Sequence, residues 1–317
     1  MTPVGATAPG KALLCGEYAV LEGAQAIVAT VDRRVSVVWR DRPGPMPPEI
    51  EATLARAQAE LGPVPGSLAL DASDLQHDRV KLGLGSSAAA AVAAAGAVFA
   101  THGHELGDPE TLQRVFTCAF EGHGSIAPQG SGVDVAASTF GGFLRFARRG
   151  TEVDIRALEC PDELVIRLVW TGHAARTSEL VNKVHGLRRD DSGSYRACMD
   201  RLSEISGRFA LAFETGSPAE IVAEAASYAN AMGALGEAAG APIVDACLGR
   251  AAELATRFSG SAKPCGAGGG DVAIAFFLDP HAAKGFEVAC KAEGLHPIDV
   301  SWGAAGVQAR SRGGAKC

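Results

Sequence analysis

The stretch Lys81-Leu-Gly-Leu-Gly-Ser-Ser-Ala-Ala-Ala-Ala-Val-Ala-Ala-Ala-Gly-Ala-Val-Phe-Ala100 divides into two parts with different physical demands. Gly83 to Ser87 suits neither a strand nor a helix interior, because two glycines and two serines offer flexible backbone and exposed N–H groups instead of packing surface. Ala88 to Ala100 is dominated by alanine and carries the highest intrinsic helix propensity of the chain. A glycine loop feeding such a helix builds an anion cradle. The first helical N–H groups have no internal partner, and the aligned peptide dipoles place partial positive charge there. Ser86 and Ser87 add hydroxyls for a phosphate or a hard oxygen ligand for Mg²⁺. The same residues also suit a serine-capped helix packed closely on a sheet, so further segments must decide. No Gly-Lys-Ser/Thr follows the glycines, which excludes a Walker-type loop.

Composition sets outer limits. The chain has 317 residues, 47% hydrophobic and 21% charged, which suits a globular protein of two domains at about 150 residues each. A net charge of −7 argues against a general nucleic-acid binder. The cysteines at 15, 118, 160, 198, 247, 265, 290 and 317 include no C-x-x-C pair, so a zinc centre is not expected and reduced thiols are. Lys11 and Glu17 interrupt the apolar N-terminal run, so no secretory signal is read, and Ala88–Ala100 is too short to span a membrane. These features predict a cytoplasmic protein without membrane or nucleic-acid partners.

On either side of the cradle, hydrophobic patterning predicts strands at 11–21 and 24–39, a helix at 49–61 and a short strand near 67–70. Helices follow at 112–121 and 134–138, then a strand at 143–146. A new β-pattern starts at Leu164, with helices over 176–187, 195–214, 217–235 and 242–257. The domain break is placed between Glu152 and Asp162.

Three further segments carry polar residues where packing does not ask for them. Ala8-Pro-Gly-Lys11 precedes an apolar run ending at Leu21; Gly130-Ser-Gly-Val-Asp-Val-Ala136 opens a helix; Lys263-Pro-Cys-Gly-Ala-Gly-Gly-Gly-Asp271 precedes Val272–Leu278. The first and third, with the cradle between them, resemble in order and spacing the three signature motifs of the GHMP kinases. The resemblance runs from about Ala8 to beyond Phe277. It implies an α/β (α+β) fold of two domains: an N-terminal ATP-binding α/β domain with a mixed sheet over 1–157 and a C-terminal ferredoxin-like domain over 158–317. The active site would lie in the cleft between them.

The resemblance also implies roles. Asp134 matches the catalytic aspartate of the family, at a helix start that favours its charge, although an aspartate there also serves as a helix cap. Lys11 matches the lysine of the first motif and would hold Asp134 ionised and stabilise the transferring phosphoryl group; alone, it reads equally as a solvated lysine at a strand end. Lys81, Gly83, Leu84, Gly85, Ser86, Ser87 and Ala88 would cradle ATP, with Ser86 or Ser87 reaching Mg²⁺. Lys11, Ser131, Gly132, Arg176, Thr177, Gly268, Gly269, Gly270 and Asp271 would line the acceptor. Mevalonate kinases place a metal-binding glutamate on the helix before the aspartate, where this chain has His123, with Glu121 nearby. That ligand is not transferred.

Within the family, four details are closer to phosphomevalonate kinases than to mevalonate kinases: Lys81 before the cradle, the Gly130–Ala136 element, Asp271 after the third glycine run, and Trp170-Thr-Gly-His-Ala-Ala-Arg-Thr177. They imply ATP-dependent phosphorylation of phosphomevalonate to diphosphomevalonate in the mevalonate route to isoprenoids. Mevalonate kinase is the alternative, and a GHMP-fold decarboxylase or a ligand sensor ranks lower. A monomer or homodimer is expected.

Overall fold

A computed structural model describes residues 5–42, 44–64 and 66–310. The first half folds as β1 (Gly5–Cys15), β2 (Ala26–Arg40), α1 (Pro48–Leu61), β3 (Ser67–Asp71), β4 (Gln76–His77), β5 (Val80–Lys81), α2 (Ser86–Thr101), α3 (Pro109–Ile126), α4 (Val133–Phe140), β6 (Phe143–Arg149) and β7 (Glu152–Leu158). The second half adds β8 (Val165–Trp170), α5 (Thr177–Asp190), α6 (Ser192–Thr215), α7 (Pro218–Ala239), α8 (Ala246–Arg257), β9 (Ser261–Pro264), β10 (Val272–Phe277), α9 (Pro280–Ala292), β11 (His296–Ile298) and β12 (Gln308–Arg310).

The first sheet runs β12-β1-β2-β6-β7, with β3 also on β2. Every pairing in it is antiparallel, which corrects the mixed sheet expected from the resemblance. The tight β6–β7 hairpin and the short β1–β2 connection permit only that sense, and β3, β6 and β12 join in it after longer excursions. Helix α2 is the centre of this unit, since every residue from Ala88 to Ala100 is buried. It packs against β1, β2, α1, α3 and α4. Alanine is what such a helix needs, because only small side chains let five neighbours approach one cylinder.

The second sheet has the order β11-β8-β10-β9, again antiparallel throughout. With helices α5–α8 between β8 and β9, and α9 between β10 and β11, this is the ferredoxin-like arrangement expected. The two units do not divide cleanly along the chain. Residues 301–310 leave the second sheet and return to the first, where Gly303 donates to the Thr30 carbonyl and β12 pairs with β1.

The strand read over 11–21 is shifted. It spans Gly5–Cys15 and gives way to a 3-10 turn at Ala19–Glu22. Gly16 and Tyr18 both have positive φ, at 112° and 61°, which no strand accommodates.

Candidate active site

The first motif enters the site through a bulge. The β1–β2 register shifts between Pro9 and Lys11, and such an irregularity re-aims the side chain that follows it. Lys11 consequently turns inward and is only 7% exposed. Its backbone N–H donates to the Leu84 carbonyl at 2.9 Å, joining β1 to the cradle, and the Pro9 carbonyl accepts from Ser138 Oγ of α4 at 2.9 Å. The stem of Lys11 lies across Gly85, where a Cβ would stand 2.9 Å from its Cε. Gly85 is also left-handed, with φ 77°, so glycine is required there twice over.

Lys11 Nζ stands 3.8 Å from Asp134 Oδ2. Burial alone would lower the pKa of Lys11, but the carboxylates of Asp134, Glu17 and Asp271 raise it above the ordinary lysine value. It is therefore a fixed positive charge across the physiological range. Asp134 lies in the first turn of α4, behind the left-handed Gly132, which has no side chain to cap that helix. Ser131 Oγ accepts from the Val133 N–H at 3.3 Å. Helix α2 likewise starts on Gly85 with no side-chain cap and no acidic residue in its first turn. Two glycine-led helix starts thus converge on one buried ammonium, an arrangement suited to binding anions.

Asp271 joins this cluster from the second unit. A Cβ on Gly83 would meet its Cγ at 2.7 Å, so the cradle and the third motif are in contact. Its Oδ1 accepts from the Ala175 N–H at 3.0 Å, its N–H donates to His173, and its backbone is left-handed at φ 54°. Burial, only partly offset by the Ala175 bond and Lys11, pushes its carboxyl above the usual range. The glycines before it serve close packing: a Cβ on Gly268 would strike the Ile243 carbonyl, one on Gly269 would strike Leu180, and one on Gly270 the His173 ring.

Other expected residues lie farther from this cluster. Lys81 ends the β4–β5 hairpin and is exposed, and Thr177 is exposed at the start of α5. Arg176 is exposed and paired with Glu179. Glu121 forms an ion pair with Arg56, beside a cavity of about 470 Å³ that also takes in His123, Gly130 and Gly132.

Sequence reasoning missed three residues. Ser87 Oγ donates to Glu49 Oε1 at 3.1 Å and lies 3.2 Å from His123 Nε2. Nothing in the spacing links Glu49 to Ser87, which come together through the packing of α1 on α2. Glu17 and Lys263 form a buried ion pair. The available signal was Glu17 embedded in the apolar run after Lys11; Lys263 stands beside a glycine run with no comparable pattern. Among the described residues, no three His, Cys, Asp or Glu side chains converge as a metal site.

Residues 52–142 match the model of the GHMP kinases N terminal domain. The chain is 30% identical to a phosphomevalonate kinase of a Streptomyces species, over 87% of this chain and 90% of that one. It is 29% identical to a mevalonate kinase of Archaeoglobus fulgidus, over 92% of this chain and 98% of that one. In fold it is similar to the Streptococcus pneumoniae phosphomevalonate kinase solved with phosphomevalonate and AMPPNP, with a TM-score of 0.80, 20% identity, and coverage of 94% of this chain and 99% of that one. Two helix starts opened toward a buried lysine thus lie on a sheet flanked by a ferredoxin-like unit. The chain belongs to the GHMP kinase family.

Proposed function

We propose that this kinase transfers the γ-phosphoryl group of ATP to phosphomevalonate, giving diphosphomevalonate. The observation that carries the reading is the position of Asp271, one of the residues by which the third motif resembles phosphomevalonate kinases more than mevalonate kinases. It reaches across the cleft to Gly83 and lies within the field of Lys11. The similarity to the Streptomyces phosphomevalonate kinase over most of both chains supports it.

The acceptor is then a phosphate monoester, whose second pKa near 6 leaves it mostly dianionic at neutral pH. No proton need be removed, so the work of the site is to bring two anions together and in line. Lys11 stays protonated and offsets their repulsion, helped by the N–H groups of Ser86, Ser87 and Ala88 and by the start of α4. Asp134 holds Lys11 in place and orients the acceptor with Ser131 and Gly132. Lys81, Arg176 and Thr177 sit at the rim, where the cations draw in the phosphorylated substrate. Mg²⁺ commonly binds through one or two protein oxygens plus substrate phosphates. Glu49 and Ser87 offer hard oxygens 3.1 Å apart at the start of α2 and would hold it there. The ion would neutralise phosphate charge. The units containing these parts are read as 1–157 and 158–317, with β12 crossing back.

The test is ADP release with phosphomevalonate, mevalonate, homoserine and galactose as acceptors. Phosphomevalonate should be turned over far faster than the other three. A clear preference for mevalonate would move the assignment to mevalonate kinase and make Asp134 a candidate general base.

A further inference from the structure

Between the first and third motifs lies a polar cluster that touches no open surface of the cleft. Lys263, at 1% exposure, and Glu17, at 2%, are among the most buried charges of the molecule. The Lys263 ammonium has three donors and three acceptors: Glu17 Oε1, the Pro264 carbonyl at 2.8 Å and the Leu13 carbonyl at 3.4 Å. Leu13 lies two residues past Lys11 on β1, and Pro264 opens the glycine loop that ends at Asp271. Glu17 Oε1 also accepts from the Gly266 N–H at 3.3 Å. Tyr18 Oη donates to the Ala267 carbonyl at 2.5 Å, and Tyr228 Oη to the Glu17 carbonyl at 2.7 Å.

Two features make this more than a structural tie. First, Tyr18, inside the network, and Asp271, at the far end of the glycine loop that the network holds, are non-glycine residues with φ of 61° and 54°. Backbone of this kind persists only where its surroundings over-determine it, and it gathers at functional sites. Second, Glu17 Oε2 is buried without any hydrogen-bond partner. Its charge is balanced by Lys263, and the other ammonium in its field is Lys11. A buried ion pair is in itself weak evidence of stabilisation, because apolar replacements often do as well. Its position between two motifs is what calls for explanation.

We propose that Lys263 is a positioning residue that occupies Glu17, so that Lys11 remains turned toward Asp134 and the transferring phosphate. The groups facing Glu17 are Lys263 from β9, Lys11 and Cys15 from β1, Tyr18 from the following turn, Cys265 from the glycine loop and Tyr228 from α7. Burial pushes the two thiols and two phenols upward, so they are neutral in the working range and cannot replace Lys263. Without Lys263, an ionised Glu17 has only Lys11 to attract. The inference rests on the cleft being a kinase site and not on which acceptor it takes.

The experiment compares the parent, K263M and K263M/E17Q with whichever acceptor the parent turns over, so failure of the acceptor assignment is seen first and separately. K263M should lose about a hundredfold in kcat at pH 8, with KM for ATP changed less than about threefold, because Lys263 touches no cleft surface. An orphaned buried carboxyl has a raised pKa, so Glu17 takes up a proton as pH falls and the loss should shrink about tenfold by pH 6. K263M/E17Q should recover at least about tenfold at pH 8 and show no such trend. Thermal unfolding gives a readout without turnover. K263M should gain on K263M/E17Q as pH falls, since its Glu17 binds protons more tightly folded than unfolded. A loss below threefold in K263M, or one pH profile shared by both variants, overturns the proposal. Should K263M fail to fold, E17Q replaces it. With no carboxylate left to attract Lys11, it should keep turnover within about threefold of the parent; a loss of about tenfold or more would overturn the proposal equally.

Discussion

Helices in this molecule begin in several ways, and one contrast among them bears on the site. Helices α3, α6, α8 and α9 start on Asp108, Asp191, Asp245 and Asp279, whose carboxylates accept from first-turn N–H groups. Helices α2 and α4 start on the left-handed glycines Gly85 and Gly132 with no side-chain cap. An aspartate cap satisfies the orphan donors and cancels the local positive potential. A glycine brings no such side chain, and both glycine-started helices open toward Lys11, although at α4 the Ser131 hydroxyl takes the Val133 N–H and Asp134 adds negative charge to the first turn. Helices α1, α5 and α7 also lack side-chain caps, on Pro47, Arg176 and Ser217, so what sets α2 and α4 apart is a left-handed glycine start facing Lys11.

The sharpest way to break this contrast is at α2. Ser86→Ala combined with Ser87→Ala should abolish ATP-dependent ADP release, while circular dichroism and the thermal midpoint stay near parental values because the loop is not core. Parental turnover in that double variant would end the phosphate-cradle reading. Next in size is the pair at α4. Lys11→Met and Asp134→Asn should each cost about 10²–10⁴ in turnover, the range of positioned catalytic groups. Made together they should cost little more than one alone, since parts of a unit are not additive. Losses that simply multiply would mean that the 3.8 Å pair does not act as one.

The smallest effect belongs to a capped helix. Asp191→Ala should lower the thermal midpoint by a few degrees and leave kcat unchanged. Hydrogen bonds from the Ser194 hydroxyl and N–H hold the Asp191 carboxyl below its ordinary range. A depressed folded-state pKa stabilises above the unfolded value, near 3.9 for aspartate. The difference between variant and parent should therefore be full at neutral pH and vanish as acid takes the medium through the folded-state pKa. A change in kcat would show that capped starts also serve the site.

Much of this was legible in the chain, and the limits have physical causes. Helix α2 could be read because its alanine propensity and its glycine loop are local properties. Lys11, Asp134 and the glycine runs could be located because the motifs are contiguous. The partners of those motifs were not legible. Glu49 meets Ser87 through tertiary packing, and Lys263 meets Glu17 across 246 residues, so no window of sequence contains either pair. Short elements such as β11 and β12, at three residues each, are too brief to show any periodicity. The antiparallel sense of the first sheet was missed for a related reason: it is fixed by where distant strands insert, not by the strands themselves.

That insertion sets an order on how the molecule can be built. Strand β1 lies between β2 and β12, and β12 is drawn from residues 308–310. A nascent chain emerging from the ribosome can assemble β1, β2, β6 and β7 early. The outer side of β1, which includes the lead-in to Lys11, keeps its N–H and C=O groups open until residues 308–310 have been made. An open strand edge invites pairing with another chain. The first half of the molecule, expressed by itself, would present that edge permanently. Its adhesiveness would reflect a missing closing strand and not a poorly formed core.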